Sequence, residues 1–373
     1  MNKVLSVMCA LMASLAFATP VISDLKVTSL PPWGLAIDYN VSGALERDIA
    51  CPLSVTMTVD GTTYTAKNLT GATNWVNGAH HLYWDMAKEG FSFDVKDATV
   101  GVEYKYIAPY CVIDLCGGSE ADSYPVTYLD APPSGGFNTT EYKTTKLVLK
   151  RVDAGSFKMQ NSTDVTLTKS FYMGLFEVTQ KQWELVMGSN PCSSTSYGEG
   201  NAYPVYYVSY NMIRGSSEGA KWPASNSVDR DSFLGKLRER TKLEFDLPTE
   251  AQWEYTCRAG TTTTYSYGDS ANGDYMWYYD NSSDGTKEVG TKKANPWGFY
   301  DMHGNVWEWC LDRYNSSLSG GEDPKGSSSG SSRVLRGGSW YDDASNCTSS
   351  SRCSSVPSYY YNDSGFRLSR TLP

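Results

Sequence analysis

The run Leu247-Pro248-Thr249-Glu250-Ala251-Gln252-Trp253-Glu254-Tyr255 contains a helix start that can be read directly. Thr249 and Gln252, three positions apart, form a capping box: the threonine hydroxyl takes the Gln252 amide while the Gln252 side chain reaches back. The helix it predicts carries Trp253, Tyr255 and Cys257. A second box, Thr179-Gln180-Lys181-Gln182, opens the run from Trp183 to Met187. Beyond Cys257 the chain is mostly Gly, Ser, Asn, Thr and aromatic residues in short pieces, and Asn315 to Ser332 reads as a Ser/Gly-rich mobile loop. Two short helices in a long aromatic-rich stretch predict an irregular α+β domain over residues 145–373, starting at Lys146-Leu147-Val148-Leu149.

Upstream the texture differs. Leu35 to Val41, Leu53 to Val59, Thr62-Thr63-Tyr64, Phe91 to Val95 and Val102 to Tyr106 are short alternating runs. Asp60-Gly61 joins two of them in a hairpin. Strands at this spacing, without helical periodicity between them, predict a small all-β sandwich of the immunoglobulin or fibronectin kind over residues 19–129. Residues 130–144, opening with Asp130-Ala131-Pro132-Pro133-Ser134-Gly135-Gly136, read as a linker.

At the N-terminus, Lys3 precedes an apolar run from Val4 to Phe17 and the small-x-small triplet Ala16-Phe17-Ala18. That pattern predicts a cleaved signal peptide over residues 1–18 and a secreted, periplasmic or cell-surface protein. The run is too short to cross a bilayer, and no later stretch is long enough, so no membrane span is expected. Lys and Arg number 32 against 41 Asp and Glu, a net charge of -9 that disfavours nucleic acid or an anionic membrane as partner. Only His80, His81 and His303 occur, which excludes a three-imidazole metal centre in the C-terminal domain. His80 and His81 are adjacent, and neighbours on a strand face opposite ways, so they do not share a metal readily. Without Cys9 there are three cysteines before residue 120 (Cys51, Cys111, Cys116) and five after 190 (Cys192, Cys257, Cys310, Cys347, Cys353). These odd counts imply one bridge between the two groups or at least two free thiols.

Five motifs then stand in register. They are Phe176-Glu177-Val178-Thr179, the Leu247–Tyr255 run, Gly298-Phe299-Tyr300-Asp301-Met302-His303-Gly304-Asn305-Val306-Trp307-Glu308-Trp309, Arg336-Gly337-Gly338-Ser339-Trp340 and Gly365-Phe366-Arg367. Together they resemble the formylglycine-generating enzyme, or sulfatase-modifying factor, family across residues 145–373. The resemblance implies an irregular fold related to C-type lectins. It also implies an oxygen-dependent oxidoreductase that converts a sulfatase cysteine to formylglycine with a copper ion held by two cysteines. In that register Asp342 stands where the first copper cysteine would be and Cys347 where the second would be. Copper(I) prefers soft thiolates, and a carboxylate is a hard substitute. Ser339 and Trp307, which line the family's active site, are retained, so Cys347, Ser339 and Trp307 would carry the chemistry if it persists.

The resemblance implies more. Asp301, Gly304, Val306 and Glu308 match positions that give calcium two side-chain and two main-chain oxygens, the hard donors this ion needs. The alternative is that Asp301 and Glu308 cap turns and pair with Arg336 or Arg367. Cys257 and Cys353 approximate a structural disulfide of the family, after which Cys310 is free to bridge Cys347, or Cys347 stays a free thiol. The family's iron-dependent relatives carry a His-rich helical domain for which this sequence shows no counterpart.

Between Trp340 and Asn362 the chain is dominated by Ser, Tyr, Asp and Asn. Tyrosine gives large rigid contact area and Ser and Asn adaptable hydrogen bonds, the mixture used by antibody loops. The expectation is a ligand-binding face of Trp340, Tyr341, Asp342, Tyr359, Tyr360 and Tyr361, taking a protein or glycan, on a domain whose copper dithiolate is lost. An active oxidase is one alternative. Another is a lectin-like protein whose C-terminal segment is diversified by a retroelement, since this composition between fixed flanks resembles such variable regions.

Overall fold

The computed structural model describes residues 20–30, 34–44, 53–71, 76–91, 99–104, 107–192 and 196–372. The expected signal peptide, Cys9, Cys51 and most of the run from Phe91 to Val95 lie outside them. The chain divides into two compact units, residues 1–107 and 108–373.

The first unit is all-β. Strands β1 (Val21–Leu30), β2 (Gly34–Ser42), β3 (Leu53–Val59), β4 (Thr62–Thr65), β5 (Leu69–Gly71), β6 (Gly78–Asp85) and β7 (Thr99–Tyr104) form two sheets, ordered β1-β2-β6-β5 and β4-β3-β7. Leu35, Ile37, Leu82 and Trp84 from one sheet and Val55, Met57 and Val100 from the other close a single core. The hairpin turns where the sequence places it: Asp60 and Gly61 both take positive φ, 49° and 77°, as a two-residue hairpin turn demands. His81 pairs with Asp38 at 2.6 Å, while the His80 ring stacks on Tyr39.

The second unit begins earlier than the sequence suggests. Strands β8 (Tyr110–Asp114) and β9 (Val126–Leu129), expected in the sandwich, join β10 (Lys146–Val152) in a five-stranded sheet. Cys111 pairs with Leu149, so the boundary falls near residue 108 and not 129. A short apolar run looks the same in either sheet, and only the ladder decides. The expected linker ends in a short helix, α1 (Thr140–Thr144). Strands β11 (Gly155–Met159), β12 (Thr163–Leu167) and β13 (Phe171–Gly174) follow.

Both expected helices form, as α2 (Gln180–Met187) and, later in the chain, a helix over Glu250–Arg258, and each has its capping box complete in both directions. Two others were not evident from sequence: α3 (Tyr210–Arg214) and α4 (Phe233–Thr241), the latter capped by Ser232 accepting from the Gly235 amide. The Glu250–Arg258 helix is therefore α5, and α6 (Tyr279–Ser282) is a single turn. The remaining strands are β14 (Trp307–Arg313), β15 (Gly321–Glu322), β16 (Arg333–Arg336), β17 (Arg352–Ser355), β18 (Ser364–Gly365) and β19 (Ser369–Thr371). The Ser/Gly-rich loop is more tied down than its composition suggests. Inside it β15 pairs with β12, and Asp323 accepts from the Thr168 amide at 2.9 Å.

At the centre of this unit the sheet β17-β16-β14-β18 brings the motifs together. Arg367 gives Nε and Nη2 to the two carboxylate oxygens of Glu308, at 2.7 and 2.6 Å, with both side chains fully buried. The Trp253 indole donates to the same carboxylate at 2.7 Å, and the remaining Arg367 donors meet the carbonyls of Gly174 and Tyr300. A second buried pair, Arg336 with Glu254, leans on the first across the register pair Glu308–Arg336.

Arg367→Met should destabilise the protein by about 3–5 kcal/mol in urea unfolding, because it leaves a buried carboxylate unpaired. Adding Glu308→Gln should recover part of that loss. A single variant as stable as the wild type would refute this account.

Candidate functional site

The turn after β16 carries Gly337 and Gly338 in left-handed conformation, φ 102° and 75°. A Cβ on Gly338 would stand 2.5 Å from the Cys347 sulfur, so the turn closes directly over that thiol. It delivers Ser339 and Asp342 beneath Trp307, the first residue of β14. The Trp307 indole donates to Asp342 Oδ2 at 2.8 Å, and the Ser339 hydroxyl donates to the same oxygen. Asn346 Nδ2 lies 3.5 Å from Asp342 Oδ1. The three residues are thus brought together as the sequence placed them, around a carboxylate that neutral donors satisfy.

Cys347 is fully buried beside this group, its sulfur 4.0 Å from the Ser339 carbonyl and 3.8 Å from that of Asp343. Burial, then the nearby Asp342 carboxylate, pushes the thiol far above its ordinary range, so the sulfur stays protonated. A neutral thiol beside a carboxylate is not a copper(I) dithiolate, and these residues do not fit that ion. Among the described residues, no group of three or more His, Cys, Asp and Glu side chains is arranged to hold a metal.

The expected Cys257–Cys353 bridge is not formed, and all described cysteines are free thiols. Cys257 is buried near the end of α5, its sulfur 3.6 Å from the Met302 carbonyl and 3.7 Å from His303 Nε2. Cys353 sits on β17 opposite Leu335, half-buried. Cys310 and Cys347 are likewise unbridged. His303, which the sequence left without a role, reaches both the Cys257 sulfur and the main chain of Cys347. Its Nε2 accepts from the Ser266 amide at 3.2 Å, which leaves Nδ1 to donate to the Cys347 carbonyl at 2.7 Å. Burial lowers its pKa to about 4, so the ring is neutral.

Asp301, Gly304 and Asn305 form the turn before β14, all with positive φ. Gly304 is obligatory there, since a Cβ would stand 2.1 Å from the Trp277 carbonyl oxygen. Val306 and Glu308 follow it, both fully buried. Asp301 Oδ2 accepts from the Gly290 amide at 2.6 Å, while Oδ1 is buried with no hydrogen-bond partner. Glu308 is committed to Arg367, one of the two pairings open to it in the sequence. A further acid stands here that was read only as part of a motif: Glu177 accepts from Asn305 Nδ2 at 2.7 Å and from the Val306 amide at 3.2 Å. Burial, then the Asp301 and Glu308 charges, raise its carboxyl well above the ordinary range. A lone glutamate in an otherwise apolar stretch was the signal that sequence offered.

Of the residues expected to form a binding face, four tyrosines are exposed and Trp340 is not. Tyr341, Tyr359, Tyr360 and Tyr361 are 63, 53, 58 and 46% exposed, and Tyr279 of α6 joins them at 55%. Tyr279 meets Tyr341 edge to face at 6.4 Å, Tyr359 and Tyr361 stack at 5.6 Å, and Tyr360 lies against Tyr207. Trp340 does not belong to the surface. It is 3% exposed, stacks on Tyr197 and donates its indole N–H to the Asn362 carbonyl at 3.1 Å, so it forms the floor beneath the tyrosines. Its size favours burial once a carbonyl is within reach.

Residues 136–372 match the sulfatase-modifying factor enzyme 1-like domain, and the chain belongs to that family. It is similar to chaperone protein LppX of Paenibacillus barcinonensis, 29% identical over 237 residues, 51% of this chain and 77% of the relative. It is also similar to the formylglycine-generating enzyme of Streptomyces coelicolor, 34% identical over 141 residues. That match covers 32% of this chain and less than half, 45%, of the enzyme. Among solved structures, Treponema denticola variable protein 1 superposes with a TM-score of 0.52 at 28% identity, covering 61% of this chain and 96% of that one.

Alkylation of the native protein, mapped by mass spectrometry, should mark exposed Cys116 first and half-buried Cys353 more slowly. Cys347, Cys257 and Cys310 should react only on unfolding. Native Cys347 reacting as fast as Cys116 would contradict the neutral, enclosed thiol.

Proposed function

We propose that this chain is a binding protein of its family that has lost the copper oxidase chemistry and works through its exposed tyrosine face. The observation that carries this reading is the Asp342 carboxylate, held by Trp307 and Ser339 at the place of a copper thiolate and beside a protonated Cys347. What the family uses as a redox pocket is here a closed hydrogen-bonded knot. The surface above it has the tyrosine, serine and aspartate mixture that suits ligand contact. The relative named as a chaperone fits a role in binding other molecules. Fold alone decides none of this.

The test is copper(I) titration of the reduced protein alongside an aldehyde assay on a cysteine-containing sulfatase-type peptide. The wild type should bind copper(I) weakly and yield no aldehyde, and Asp342→Cys should gain copper affinity. Tight one-to-one binding with aldehyde formation by the wild type would restore the oxidase reading.

A diversified C-terminal segment is a second reading, favoured by the likeness to a solved structure named as a variable protein. Under it the codons for Tyr341 and Tyr359 to Tyr361 differ among isolates while those for Arg336-Gly337-Gly338-Ser339 stay fixed. Uniform codons discard it.

We extend the proposal to a structural calcium ion. Asp301, through its unpartnered Oδ1, and the main-chain oxygens of Gly304 and Val306 would hold it, next to Glu308 in its pair with Arg367. An ion bound only to the native state raises the melting midpoint. Equal midpoints with calcium and with a chelator discard the ion.

A further inference from the structure

The tyrosine face carries acid as well as aromatic surface. Asp280 follows Tyr279 in the chain and Asp343 follows Asp342, and both Asp280 and Asp343 are exposed. Asp342 and Asp363 are partly buried, and both connect to Trp307: its indole donates to the Asp342 carboxylate and its backbone amide to the Asp363 carbonyl. The Asp363 carboxyl is raised by burial and, among its neighbours, by the Asp342 charge. Among the described residues, no ion pair engages any of these four carboxylates. A base on the adjoining segment, Lys287, turns inward and gives its Nζ to the carbonyls of Ser282 and Gly285. Among the described residues, exposed aromatic faces and carboxylates therefore share one surface on which no ion pair is formed.

That combination selects a partner. The face of a tyrosine ring attracts an ammonium or guanidinium group, and a nearby carboxylate adds to the attraction. A neutral partner covering the same area would desolvate carboxylates without pairing them, and an anionic one would be repelled. We propose that this face receives a Lys- or Arg-bearing segment of a partner protein, its cationic groups lodging among Tyr279, Tyr341, Asp280 and Asp343. This rests on the reading of the face as the binding surface.

The test pans a random dodecapeptide phage library against the full chain. It uses two variants that keep the wild-type melting midpoint, Asp280→Asn/Asp343→Asn and Tyr341→Ala/Tyr360→Ala, and probes the same three proteins on a glycan array. The wild type should enrich peptides rich in Lys and Arg. A synthetic copy of one should bind roughly tenfold more weakly to either variant. It should also weaken as sodium chloride rises from about 50 to about 500 mM. Peptides without Lys or Arg enrichment, or a neutral glycan, retained by the wild type and lost from the tyrosine variant would overturn the cationic partner while keeping the binding face. Basic peptides insensitive to both variants would also overturn it. No signal that depends on the tyrosines, from library or array, would sink the binding reading itself.

Discussion

The Arg367–Glu308 ion pair is the constraint on which the second unit depends. Both charges are removed from water, and neither side chain could stay there alone. Glu308 is satisfied by two guanidinium donors and the Trp253 indole, while Arg367 spends its other donors on the carbonyls of Gly174 and Tyr300. One side-chain cluster therefore fixes α5, β13, the turn before β14 and the end of the chain relative to one another. A unit with such short strands has few ladder hydrogen bonds to set its geometry, and buried charge takes over that task. Three motifs far apart in sequence meet in it: the Leu247–Tyr255 run through Trp253, the Gly298–Trp309 run through Tyr300 and Glu308, and Gly365-Phe366-Arg367 through Arg367.

Local signals were legible in the sequence because local chemistry determines them. The capping boxes at Thr179 and Thr249 and the Asp60-Gly61 turn need only residues three or fewer positions apart, and they form as read. What depends on distant partners was not legible. The strands near Cys111 and Tyr128 are short runs that could belong to either sheet, and only the ladder, β10 with β8 and β8 with β9, assigns them to the second unit. The helix over Phe233–Thr241 lies in a polar stretch whose N-cap, Ser232, has no reciprocal side-chain partner to announce it. The family resemblance implied a Cys257–Cys353 bridge, but Cys353 pairs on a strand with Leu335 while Cys257 is enclosed near His303. In the candidate site the sequence identified Trp307, Ser339, Asp342 and Cys347 by register. It misjudged Trp340, because a tryptophan among tyrosines reads as surface until a carbonyl is found for its indole.

The buried cluster around Cys347 and the exposed tyrosines are separated by one layer of side chains. Cys347 and His303 are buried and neutral and Trp340 is buried, while the tyrosines are exposed and, among the described residues, no ion pair engages Asp280 or Asp343. A carboxylate at position 342 serves both layers. Its oxygens close the knot beneath, and its charge contributes to the acidic character of the face. The same residue thus ties the turn after β16 to the start of β14.

The Trp340 indole fastens to a main-chain oxygen of residue 362, and Tyr207 likewise donates its backbone amide to the main-chain oxygen of Tyr361. Neither clasp reads the identity of the side chains it holds. The rim is thus pinned through its main chain, and the side chains of Tyr341 and Tyr359 to Tyr361 take no part in either clasp.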